Sequence, residues 1–111
     1  MTPGVIVVLV ARVPAGGVAA FLEYEGAVLP SLAAHGGVLE RRLRRVEPGG
    51  AVVEVHVVRF ASAAAFAAYR ADPARSSHRA LLAASEARIE VLELEEAPVG
   101  ELFGPAPGTK P

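Results

Sequence analysis

The chain has 111 residues, 52% of them hydrophobic, with a net charge of −1 and no cysteine. That length fits one domain, the apolar content excludes general disorder, and the near-neutral balance excludes long-range attraction to nucleic acid or an anionic membrane. Without cysteine there are no disulfides, thiolate nucleophiles, zinc–sulfur sites or iron–sulfur clusters.

Residues 5–13 are apolar on both alternating faces, with Val5, Val7, Leu9 and Ala11 on one and Ile6, Val8 and Val10 on the other. A strand covered on both sides reads this way, so a central strand is predicted. The run is too short to span a bilayer and lacks the basic leader and cleavage site of a secretory signal. A strand of a cytoplasmic protein is expected.

Pro14 and Gly16-Gly17 turn the chain into a helix predicted over 17–37. At about 100° per residue, Val18, Phe21, Leu22, Val28, Leu29 and Leu32 share one face, with Glu25 near its centre. A carboxylate in an apolar stripe calls for a partner, an arginine such as Arg12 or Arg59, or for a chemical role. Pro30 predicts a kink near 26–30, where Gly26 offers no side chain to resist bending. Gly36-Gly37 predict a left-handed cap.

Residues 38–47 alternate Leu39 and Leu43 against Glu40, Arg42 and Arg44, the pattern of a half-buried edge strand. The cluster Arg41, Arg42, Arg44 and Arg45, balanced by Glu40 and Glu47, reads as a solvated or dimer-facing edge rather than a phosphate track. A turn at Glu47-Pro48-Gly49-Gly50 leads by a hairpin into a strand over 51–60. There Val53, Val55 and Val57 share one face, and Glu54, His56, Val58 and Phe60 the other. Ser62 caps a helix over 63–71 that carries Phe66 and Tyr69, and Asp72-Pro73 breaks it. Ser76 or Ser77 is expected to cap a further helix through 87, and 88–96 forms the last strand. Residues 1–96 make the domain. Residues 97–111 form a Pro/Gly-rich tail, in which Leu102-Phe103 is expected to latch onto the body or a partner subunit.

The order β-α-β-β-α-β, with its second helix broken, is the ferredoxin-like α+β arrangement, a four-stranded antiparallel sheet with helices on one face. The other face is rich in valine and too large an apolar patch for a monomer. A homodimer is therefore expected, its two sheets packed face to face as a barrel-like core.

The segments Tyr24…Pro30…Leu32-Ala33…His35-Gly36-Gly37, Glu54-Val55-His56-Val57-Val58-Arg59-Phe60 and Phe66…Tyr69…Asp72-Pro73 resemble the dimeric α/β-barrel superfamily. Within it the chain is most similar to a small bacterial domain of unknown function, and more distantly to antibiotic-biosynthesis monooxygenases and polyketide cyclases. The resemblance covers residues 4–96 and implies a substrate pocket between sheet and helices. It also implies a repertoire running from cofactor-free oxygenases through cyclases and isomerases to haem-degrading enzymes, so the fold does not name a reaction. The quinone-forming monooxygenases of the superfamily commonly use a tryptophan and an asparagine, and haem-degrading members tend to use both beside their histidine. This chain has neither residue.

Phe60 must tuck beneath the helix it leads into, which turns Glu54 and His56, roughly 7 Å apart along the strand, toward the helices. Glu25 points at the same layer, and Tyr24 and His35 flank it. A carboxylate in an apolar cavity has its pKa raised, and a nearby histidine titrates near neutrality. The expected function is a cofactor-free enzyme using His56 with Glu54 or Glu25 as catalytic acid–base groups. Tyr24, His35, Arg59, Phe60 and Tyr69 would bind a small hydrophobic, oxygenated, polyketide-like molecule during cyclisation, isomerisation or dehydration. A non-catalytic binding protein and a cofactor-independent monooxygenase are the alternatives. Plainer roles stand beside these: an ion pair for Glu25, a helix-end cation for His35, core or cavity wall for Tyr24 and Tyr69, and a surface position for His78. No metal site is expected from three histidines on three elements, nor any nucleic-acid or membrane partner.

Overall fold

The computed structural model describes residues 4–98 and residue 100. Four strands, β1 (Val5–Val13), β2 (Val38–Val46), β3 (Val52–Phe60) and β4 (Arg88–Leu94), form one antiparallel sheet in the order β2-β3-β1-β4. The strand with two apolar faces is central, as its pattern predicts, and β2 is at an edge. The proposed latch at Leu102-Phe103 lies outside the described residues.

Among the described residues, the helices between β1 and β4 lie on one face of the sheet. Val7, Ala11 and Val13 of β1 and Val52, Glu54, His56, Val58 and Phe60 of β3 are buried there. The opposite face presents Ile6, Val8 and Val10 beside Val53, Val55 and Val57, flanked by Leu43, Leu92 and Leu94, which are exposed. Among the described residues, no helix is long and apolar enough to cross a membrane.

The predicted single helix over 17–37 is two helices, α1 (Val18–Val28) and α2 (Ser31–Ala34). Pro30 has no N–H to give the carbonyl of Gly26, so the ladder is cut rather than bent. Ser31 Oγ donates to the Val28 carbonyl at 2.7 Å and covers the end that is left. The stop is as expected. Gly36, at φ 74°, donates to the Ala33 carbonyl at 3.0 Å, and Gly37 donates to Leu32 at 2.8 Å, the paired bonds of a Schellman cap. The buried stripe of α1 and α2 is Phe21, Tyr24, Glu25, Val28 and Leu32. Leu22, expected inside, is 39% exposed; Tyr24, one i, i+3 step from Phe21, takes that side of the stripe.

In β2 the alternation read from sequence does not hold. Leu39 pairs with Val58 but Leu43 pairs with Val55, because a bulge between Leu39 and Arg41 shifts the register. An extra residue reverses the parity of everything after it. Leu43 therefore turns to the open face, while Arg42 and Arg44, opposite His56 and Glu54, turn toward the helices.

Ser62 caps α3 (Ala63–Ala71) by accepting from the Ala65 N–H at 3.1 Å. Asp72 accepts from the Ala74 N–H at 2.8 Å and starts α4 (Pro73–Ser76). The last helix, α5 (Arg79–Ser85), is shorter than predicted and begins after His78 without a side-chain cap. Ser76 and Ser77 do not serve it; their hydroxyls donate back to the carbonyls of Pro73 and Ala74. Gly17, just before α1, lies so close to α5 that a Cβ would overlap the Ser85 carbonyl. Two clusters fill the layer between sheet and helices. One is built on Val7, Leu32, Val58, Phe60, Phe66 and Tyr69, the other on Ala11, Val13 and Phe21.

Candidate active site between sheet and helices

A cavity of about 310 Å³ lies in that layer, walled by Val7, Leu9, Val58, Phe60 and Phe66 and by Tyr24, Val28 and Leu32 of the first helices. Its polar residues are Glu25 and His56 within, and Arg70 and Arg75 on the α3–α4 side.

The polar end is built from the inside of β3 outward. Glu54 has no exposed surface. Arg42 donates to it through Nε at 3.0 Å and Nη2 at 3.2 Å, Arg44 through Nε at 2.7 Å, and His56 Nε2 lies 2.7 Å from Oε1. Burial by itself would raise the Glu54 carboxyl, but the hydrogen bonds from Arg42, His56 and Arg44 outweigh it and hold the group at about 2. A carboxylate so firmly ionised only accepts hydrogen bonds. The proton shared with it must therefore belong to His56 Nε2, which assigns the tautomer of the neutral ring.

The other ring nitrogen, Nδ1, faces Glu25 Oε1 at 3.4 Å. That oxygen is buried and has no hydrogen-bond partner. Burial pushes the Glu25 carboxyl above the ordinary carboxylate range, His56 opposes the rise, and the nearby charge of Glu54 adds to it. One imidazole thus stands between two carboxyl groups whose surroundings drive them apart, one ionised by guanidinium, the other inclined to keep its proton. Such an arrangement can hold a proton at Glu25, or take one there, while His56 stays fixed in orientation.

Glu25, Glu54 and His56 also bring ligand atoms within 4.8 Å of one another. Both Glu54 oxygens are already occupied by guanidinium and imidazole N–H. A cation there would have to displace these donors while beside two positive charges, so the donor set fits proton chemistry better than a metal.

The remaining expected residues divide. Tyr24, Phe60 and Tyr69 line the cavity, with the Phe60 ring 5.3 Å from Phe66 and 5.5 Å from Tyr69. His35 does not reach it. Its Nε2 pairs with Asp72 at 2.7 Å, and its ring lies edge-on to Tyr69 at 6.1 Å, bracing the wall from behind. Arg59 is on the open face of the sheet, bonded to Glu40 at 2.9 Å and Glu96 at 3.1 Å. The odd parity of Arg59 on β3 forces this, and it excludes Arg59 both as a ligand-orienting residue and as a partner for Glu25. Arg12 is not that partner either: it shares the open-face parity of Ile6, Val8 and Val10, opposite Val53.

Four arginines were missed as site residues. Arg42 and Arg44 match the Glu54-x-His56 spacing across the ladder, a signal of cross-strand charge pairing that the bulge conceals. Arg70 and Arg75 flank the Asp72-Pro73 break, where Pro73 at the first helical position starts the turn that brings Arg75 back over Tyr69, 4.7 Å from the ring centroid.

No protein-family model and no curated protein matches the chain. Solved structures do. RPA0582, a protein of unknown function from Rhodopseudomonas palustris, superimposes with a TM-score of 0.70 at 14% identity, over 90% of this chain and 85% of its own. SnoaB, a cofactor-independent oxygenase from Streptomyces nogalater, gives 0.67 at 18% identity over 88% and 97%. A candidate antibiotic biosynthesis monooxygenase from Caulobacter crescentus gives 0.66 at 18% over 86% and 92%. The chain therefore has the ferredoxin-like α/β fold of the antibiotic biosynthesis monooxygenase-like proteins, and at these identities the likeness shows the fold alone.

Proposed function

We propose that the cavity is the active site of a cofactor-free enzyme that moves a proton on a hydrophobic, oxygenated, polyketide-like molecule. The observation that carries this reading is the buried Glu25 oxygen, without a hydrogen-bond partner and 3.4 Å from His56 Nδ1. Buried polar atoms are seldom left so, and a substrate group or a shuttled proton accounts for this one. In its ionised form Glu25 takes a proton from a carbon next to a substrate carbonyl, and the C–H electron pair becomes the enolate. Glu25, now protonated, returns the proton at another carbon, which completes an isomerisation. In a cyclisation the enolate carbon attacks a second carbonyl of the same molecule and opens its C=O π bond, and the proton goes to the alkoxide that is left. Neither involves net oxidation. His56, oriented by Glu54, presents Nδ1 as an acceptor to Glu25 and so favours the protonated form between the two transfers.

The test is hydrogen–deuterium exchange of 2-tetralone, a bicyclic ketone with acidic C–H bonds, followed by proton NMR in D₂O. Wild type should accelerate exchange, and Glu25→Gln should lose about 10²-fold or more of that acceleration. Equal acceleration by Glu25→Gln would refute the role of Glu25, and no acceleration by wild type would favour a non-catalytic ligand-binding protein.

A second reading, a cofactor-independent oxygenase, is favoured by the superposition on SnoaB. Its first step is the same deprotonation, followed by O₂ uptake in place of reprotonation. Oxygen consumption with a hydrophobic polyphenol would establish it. The function is proposed to be homodimeric, two open sheet faces packed together, because nine aliphatic side chains otherwise meet water there.

A further inference from the structure

The neck of the cavity carries charge that proton transfer at its inner end does not use. Tyr24, Arg70, Arg75 and Leu82 line both the cavity and a shallow depression of about 130 Å³ outside it, which Ser76 and Arg79 complete. They stand where the two adjoin.

Among the described residues, neither Arg70 nor Arg75 pairs with a carboxylate. Arg75 is half-buried. Its Nη2 donates to the Tyr24 hydroxyl at 3.3 Å and its Nη1 to the Arg70 carbonyl at 3.5 Å, both neutral oxygens at long range. Its Nε is buried and has no acceptor at all. The Tyr69 ring supports the guanidinium at 4.7 Å and keeps the fork from swinging freely. Withdrawing a guanidinium from water without an anion is costly, and the Nε–Nη edge matches the two oxygens of a planar carboxylate. Deeper in, Glu54 is already neutralised by Arg42 and Arg44, so it does not answer the charge at the neck.

We infer that the molecule taken by this cavity is an apolar acid, its carboxylate held by Arg75 at the neck while its body fills the cavity toward Glu25. This rests on reading the cavity as a substrate site, and it makes Arg75 the residue that selects the substrate class. Arg70 adds charge without a directed bond. A neutral amide of the same shape would leave Nε unpaired and be rejected for that reason.

The test compares 2-naphthoate with 2-naphthamide, two probes of equal shape and different charge, by titration calorimetry on the full chain. Wild type should bind the acid about tenfold tighter or more. Arg75→Gln should remove the preference without weakening the amide. Arg75→Lys, which keeps the charge but not the fork, should fall between. Equal binding of both probes to wild type, binding of neither, or a preference that survives Arg75→Gln would overturn the inference. Should Arg75→Gln fail to fold, a preference undiminished in Arg75→Lys overturns it equally. The ketone exchange test separates the two readings. Exchange retained without an acid preference removes only the carboxylate site, and a preference retained without exchange removes only the proton chemistry.

Discussion

Replacing Glu54 by glutamine keeps the shape of the side chain and removes the charge that four hydrogen bonds converge on. The carboxyl is held at about 2 against an ordinary 4.5, which corresponds to about 3.4 kcal/mol of stabilisation at neutral pH. The two guanidiniums are themselves 36% and 45% exposed, and water recovers part of what they lose, so about 2 kcal/mol is the expected cost of Glu54→Gln at pH 7. The folded-state pKa is depressed, so this stabilisation is complete above 4.5 and disappears as pH falls from 4.5 to about 2. Urea midpoints measured at pH 7, 5 and 3 should show the variant weaker at pH 7 and approaching wild type at pH 3. Parallel pH profiles for the two proteins would refute the claim that the arginines hold Glu54 ionised.

Glu25 should behave with the opposite sign. Its folded pKa is raised by burial, so its contribution is present below the unfolded value and is lost as pH rises through the folded one. Glu25→Gln should be more stable than wild type at pH 8, with a gap that narrows at pH 5 in urea titrations; a gap that widens on acidification contradicts this. Gly17→Ala places a Cβ on the Ser85 carbonyl, and backbone cannot yield as a flexible side chain does, so a loss of about 3 kcal/mol is expected in thermal unfolding. An effect below about 1 kcal/mol would mean that α1 and α5 are not packed so closely. Val55→Glu, on the open face opposite Leu43, should turn a micromolar dimer into a monomer in sedimentation, weakening association by about 30-fold or more. A wild-type chain that sediments as a monomer would contradict the proposed face-to-face pairing.

Much of the fold is written in alternation. Residues 5–13 read as central because both faces are apolar, and 52–60 declare their inner face through Phe60, which carried Glu54 and His56 correctly to the helix side. The single extra residue at the Leu39/Arg41 bulge is invisible to such counting, and it hid the anchors of Glu54. Glu25 stood out because a carboxylate interrupts an apolar stripe, but its neighbour could not be read from the stripe. An arginine partner and an acid–base role beside His56 were both open, and the side chain that faces it is His56. Arg59 differs: the parity that rules it out is already legible in the sequence, since it alternates with Phe60 on β3. Arg75 depends on how two short helices fold after Pro73, a matter of tertiary packing that no local period encodes.

At the inner end of the cavity one histidine stands between two carboxyl groups forced apart in acidity. Carbon-13 NMR titration of the glutamate side-chain carboxyls, assigned with Glu25→Gln and Glu54→Gln, measures this directly. One resonance should titrate near 2 and vanish in Glu54→Gln, and another should titrate above 4.5 and vanish in Glu25→Gln. Two buried glutamates that both titrate at the ordinary value would contradict it.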